Sequence, residues 1–127
     1  MNVLPSDLGN DPEFDAAVLL DLVEGDPAEF QKFALMFISS FETALTNMDI
    51  ARASDDMAVL GAMGHRAKTT ARNIGAMALG QECELLENSV EASNFDEARR
   101  MAAGVRPLFE GVRSALLRCI NPPHNGL

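Results

Sequence analysis

Apolar side chains recur every three or four residues along most of the chain, the spacing that gathers one face of an α-helix. Phe30, Phe33, Phe37, Phe41, Leu45 and Met48 form one such stripe, and Leu79, Cys83, Leu86 and Val90 form another. Met101, Val105, Leu108, Val112, Leu116 and Cys119 make a third. No stretch alternates with the period of two that marks a strand, and no internal repeat is present. Asp11-Pro12-Glu13 and Asp26-Pro27-Ala28-Glu29 each set a capping carboxylate ahead of a first-turn proline, and Glu29 stands where a capping box places its acid. Asn94-Phe95-Asp96-Glu97 repeats that logic and Ser54-Asp55-Asp56 offers another start. Gly9, Gly25 and Asn121-Pro122-Pro123 read as stops. The pattern predicts helices from about Pro12 to Val23, Pro27 to Ala53, Asp56 to Arg72, Ala76 to Ala92 and Phe95 to Ile120. The expected fold is an all-α antiparallel bundle. Residues 121–127 are expected to be a tail, and the whole chain one domain.

The third helix carries the candidate chemistry. Counting 100° per residue from Leu60, the residues Gly64, Ala67, Ala71 and Ile74 fall within about 40° of it, which defines the buried side. Lys68 lies near ~80°, Arg72 near ~120° and His65 near ~140°, on one flank turning toward solvent. The spacing therefore predicts an exposed His65 on a rigid helical wall, with Lys68, Thr69 and Arg72 beside it and side-chain-free Gly61 one turn back. From Ala58 to Gln81 there is no acidic residue. An open imidazole with two cations beside it and no nearby carboxylate suits a phosphoryl group. Arg66 falls on another face and is the weaker candidate.

Composition narrows the function classes. With 127 residues, one domain can bury one core, and 47% hydrophobic residues with 6% aromatic and no Trp or Tyr fit a helical bundle. The net charge of -9 argues against nucleic acid and anionic membrane surfaces as partners. Twelve of the 19 acidic residues precede Met57, against two basic ones, Lys32 and Arg52. No run approaches the ~20 apolar residues of a membrane span, and Met1-Asn2-Val3-Leu4-Pro5-Ser6-Asp7 lacks the basic start and apolar run of a signal peptide. A cytoplasmic protein is expected. Cys83 and Cys119 fall on apolar positions, so buried free thiols are expected rather than a disulfide, and catalysis by either is disfavoured. The two histidines lie far apart in sequence and form no Glu-x-x-His or His-x-x-x-His pair, so no metal site and no cofactor is expected. Glu82, Glu84, Glu87 and Glu91 read as a solvated face, Met57, Met63, Met77 and Met101 as core filler, and His124 as tail.

His65, Lys68, Gly75, Leu79, Cys83 and the pair Leu86-Glu87 stand in the register of a known signature, and the chain resembles the histidine-containing phosphotransfer (HPt) family over roughly Pro27 to Ile120. The resemblance implies an antiparallel four-helix bundle over about residues 27–120, with a short extra N-terminal helix as a cap within residues 1–26. It implies a phosphorelay intermediate that accepts a phosphoryl group from the aspartyl phosphate of a receiver domain, or from a sensor kinase, and passes it to a response-regulator receiver. Carried over, His65 is the phosphoacceptor, and Lys68, with Arg72 beside it, steadies the transferred group. The surface at Gly61, Ala62, Gly64 and Thr69 would meet the partner. The implied partners are receiver domains and an upstream hybrid sensor histidine kinase, with any Mg²⁺ supplied by the receiver, and a monomer is expected.

Two positions depart from the pattern. Thr69 stands where glycine is usual and could crowd an incoming loop; Ala67 replaces a commoner leucine, a change Met63 and the phenylalanine stripe are expected to absorb. Thr69 keeps open a rival reading, an adaptor that binds receivers or another signalling partner without taking phosphate. On either reading the chain is a carrier or binding module rather than a self-sufficient enzyme.

Overall fold

The computed structural model describes residues 14–121 and holds five helices and no β-strand among them. They are α1 (Ala16–Leu22), α2 (Pro27–Ala53), α3 (Met57–Asn73), α4 (Met77–Glu91) and α5 (Phe95–Ile120). Four starts are capped by a side chain. Asp15 accepts from the Ala17 amide, Asp26 from those of Ala28 and Glu29, Asp56 from Val59 and Asn94 from Glu97, each satisfying an amide the helix leaves unpaired. The first described helix starts at Ala16, with Asp15 as its cap. Asp11, Pro12, Gly9, Pro122, Pro123 and His124 lie outside the described residues.

All four joints between helices close in the same way. A left-handed residue follows each helix: Glu24 (φ 54°), Asp55 (54°), Gly75 (93°) and Ser93 (57°). The next amide reaches back five residues, as in Gly25 N to Leu20 O (2.8 Å), Asp56 N to Ala51 O (2.8 Å), Ala76 N to Ala71 O (2.9 Å) and Asn94 N to Ser89 O (2.8 Å). This is the Schellman closure, which pairs carbonyls the helix end would otherwise strand. At three joints the residue making that bond is itself the cap of the following helix, so the chain turns without a loop. Gly75 is under a further constraint. Its carbonyl accepts from Asp15 N at 3.0 Å, and a Cβ there would collide with the Asp15 carbonyl.

Helix α2 packs on α3 and α5, and α4 packs on α3 and α5. Along α3 and α4 the contacts run in opposite senses: Gly61 faces Val90, Gly64 faces Cys83 and Leu86, and Gly80 faces Arg72 and Lys68. Helices α2 and α5 do likewise, with Asp49 to Arg106 at 2.6 Å and Glu42 to Arg113 at 3.7 Å. Aliphatic side chains fill most of the core, with Phe14 and Phe30 buried beside a cluster of three rings. Phe41 stacks on Phe109 with centroids 5.1 Å apart, and Phe37 tilts against both. Leu60, Ala67, Ala71 and Ile74 are buried on the side of α3 that the angle count assigns.

Some apolar positions differ from expectation. Phe33 and Met77 stand 37% and 51% exposed. Phe109, off the stripe read from α5, is fully buried instead. Ala67 is buried, yet Phe41, Met63 and Ala67 together line a groove of about 270 Å³ between α2 and α3, so the small side chain is not fully compensated.

Candidate functional site

His65 lies midway along α3 with its side chain 63% exposed. Its ring is not free on both sides. Nδ1 is 2.7 Å from Oε2 of Glu87, which reaches across from α4. The other carboxylate oxygen, Oε1, accepts from Lys68 Nζ at 2.6 Å. One carboxylate therefore bridges the two α3 residues the sequence singles out. Glu87 is 13% exposed, and its carboxyl is held below the ordinary carboxylate range chiefly by the Lys68 hydrogen bond, aided by that from His65 and opposed by partial burial. An ionised carboxylate only accepts, so Nδ1 carries the proton and donates. That leaves Nε2, on the far side of the ring, with its lone pair.

This arrangement overturns two expectations. Glu84 and Glu87 are not part of a solvated face, and His65 is not free of carboxylates, because helices distant in sequence meet here. Lys68 is 20% exposed and turned onto α4, with Glu84 as a second, longer partner at 3.8 Å. Arg72 follows the same course, placing Nη1 3.3 Å from Glu84. Neither cation stands open in solvent beside the ring. Glu82, also on α4, is half-buried over Gly104, and burial pushes its carboxyl above the usual range.

The glycines explain why the two helices come this close. A Cβ on Gly61 would stand 2.8 Å from Val90 Cγ1, one on Gly64 3.0 Å from the Cys83 carbonyl, and one on Gly80 2.7 Å from Arg72 Cγ. Gly61 and Gly64 are buried, so their part is helix spacing, and Gly64 presents no contact surface. Ala62 and Thr69 are exposed. A groove of about 380 Å³ opens beside His65, with Gly61, Ala62 and Arg66 on the α3 side and Glu87, Val90 and Glu91 on the α4 side. Arg66, set aside on sequence, therefore shares the histidine's groove.

Cys83 and Cys119 are buried and not joined in a disulfide, and burial pushes the Cys83 thiol up to about 12, far from a nucleophile. Among the described residues no group of three or more His, Cys, Asp or Glu side chains could hold a metal ion, and no helix is long and apolar enough to cross a membrane.

No curated protein matches the chain. Among solved structures it is similar to histidine-containing phosphotransfer protein B from Pseudomonas aeruginosa, at 24% identity and a TM-score of 0.81, covering 89% of this chain and 98% of that one. At that identity the likeness speaks for the fold. The Hpt domain profile matches residues 32–116, a span that includes α3, α4 and every residue of the His65–Glu87–Lys68 bridge. On that match the chain belongs to the Hpt domain family.

Proposed function

We propose that His65 is the acceptor and donor atom-bearer of a phosphorelay, taking a phosphoryl group from a receiver's aspartyl phosphate or from a sensor kinase and passing it to a response-regulator receiver. Family membership supports phosphotransfer in general. The observation that carries the assignment to His65 is its exposed ring with one nitrogen committed to Glu87. Helices α2–α5 serve as an antiparallel four-helix bundle, a stiff mount for that ring.

The chemistry follows from the ring's two nitrogens. The Nε2 lone pair attacks phosphorus while the bond from phosphorus to the aspartyl oxygen breaks, and that oxygen leaves as carboxylate. Nδ1 keeps its proton throughout. The positive charge that develops on the ring as the N–P bond forms is met by the Glu87 carboxylate, already in place. Little covalent work is asked of the protein beyond in-line positioning and charge compensation. Lys68 fixes Glu87, and its remaining N–H donors are available to phosphoryl oxygens at the rim of the site. Arg72 acts one step further out, through Glu84. The partners are receiver domains and a hybrid sensor kinase, the cell compartment is the cytoplasm, and the carrier works as a monomer.

A receiver charged with radiolabelled phosphate should label the chain on His65, giving an acid-labile, base-stable adduct. His65→Gln should abolish the label with helix content unchanged by circular dichroism; a variant that still takes label removes His65 from the reaction. Tight receiver binding by the native chain with no label at any time would instead favour an adaptor, in keeping with exposed Thr69 one turn beyond the ring.

A further inference from the structure

The cations beside His65 that the sequence offers for meeting an anionic partner are already neutralised within the molecule. Lys68 is ion-paired with Glu87 and Glu84, and Arg72 with Glu84. Arg66 is different. It is exposed, and its guanidinium makes no ion pair or hydrogen bond among the described residues. It also lines two grooves at once. One is the His65 groove toward α4; the other lies between α2 and α3 and is walled by the polar residues Ser40, Thr43, Asn47 and Thr70. Its side chain thus forms the ridge between them, about 100° around α3 from the reacting ring.

The setting is otherwise acidic. The chain carries a net charge of -9, and Glu91 and Glu87 stand on the opposite wall of the histidine's groove. A partner bringing an aspartyl phosphate brings negative charge to this surface, and like-charge contact is costly without a local cation. A guanidinium fork presents two parallel donors, the geometry that pairs with a carboxylate. From the unpaired Arg66 on this ridge we infer that it is the specificity-determining contact for partner docking, pairing with a carboxylate side chain on the receiver, so that the footprint extends from His65 over the α2–α3 groove rather than toward α4. The inference rests on the phosphoacceptor reading of His65.

Arg66→Met and Arg66→Glu separate charge from bulk. Each receiver domain of the source organism, charged with acetyl phosphate, serves as donor, and phosphoramidate serves as a small donor that needs no docking. Transfer from the cognate receiver should fall about tenfold in the methionine variant and by a further ~10-fold in the glutamate variant. Its dependence on salt concentration should weaken in the methionine variant. Equal losses in the two variants, or an undiminished salt dependence, would show that Arg66 acts by packing and overturn the proposal. A matching loss of phosphoramidate labelling would also overturn it, by placing Arg66 on the phosphoryl group itself. If native protein takes phosphate from phosphoramidate but from no receiver, the docking proposal falls while the acceptor reading stands. If neither donor labels His65, both fall.

Discussion

Glu87 organises the site at the scale of single residues. It orients the imidazole, selects its tautomer and holds Lys68, all with two oxygens. A charge-assisted hydrogen bond of this kind contributes about 1.5–3 kcal/mol. Losing it in the transition state corresponds to a slowing of roughly tenfold or more. Glu87→Ala should therefore slow labelling of His65 by at least about tenfold, whereas Glu87→Gln, which still accepts from Nδ1, should retain more of the rate. Stopped-time labelling with phosphoramidate measures both, and equal rates in all three proteins would reduce Glu87 to a structural ion pair. The exposure of His65 was legible in the sequence because helical angle alone decides which way a residue faces. Its partner was not. Glu87 sits next to buried Leu86, so its helix face was readable, but what it touches depends on how α4 is placed along α3. The available signal was complementary spacing: Lys68 and Arg72 four apart on one helix, Glu87 and Glu84 three apart on the other, running in reverse.

Among the helices, the decisive feature is the close approach of α3 to α4. Sequence reading placed α2 and α5 at their observed bounds and α3 and α4 within a residue at each end, since capping and apolar spacing are local. It set Gly61 on the open surface, and put Gly64 on the buried side by angle yet on the partner surface by resemblance; the structure buries both, letting two backbones near one another. That error has a physical source, because a glycine beside the apolar stripe looks the same whether it faces water or a neighbouring helix. Gly61→Ala should destabilise the fold by about 1–3 kcal/mol through crowding of Val90, less up to ~1 kcal/mol for better helix propensity. Adding Val90→Ala should recover part of the loss despite removing apolar contact. Denaturant unfolding of the two single variants and the double variant checks this, and strictly additive losses would show that the two side chains do not compete for one space.

For the molecule as a whole, two carboxylates on α4 push stability in opposite directions with pH. The Lys68 hydrogen bond holds Glu87 below the ordinary carboxylate value of 4.5, so its contribution is fully present above that value and is lost as pH falls through the lower folded one. Glu82 is shifted up from the same value by burial, so its ionised form opposes folding and the penalty disappears in acid, once the group is protonated in both states. Glu82→Gln should accordingly raise the melting temperature at neutral pH, with the advantage fading as pH drops toward 4.5 and below. Glu87→Gln should lower it at neutral pH, with the deficit fading below 4.5. Thermal melts from about pH 7 to about pH 3 read both differences, and shifts independent of pH would remove ionisation as their cause.

The tight seam of glycines also bears on how a message leaves this protein. With α3 and α4 fastened almost backbone to backbone, and every joint closed by a back-reaching amide, the scaffold has little room to change shape if its histidine is charged as proposed. News of the signal would then travel as the bond itself, handed on intact, and the next protein would sense the cargo rather than any altered posture of its courier.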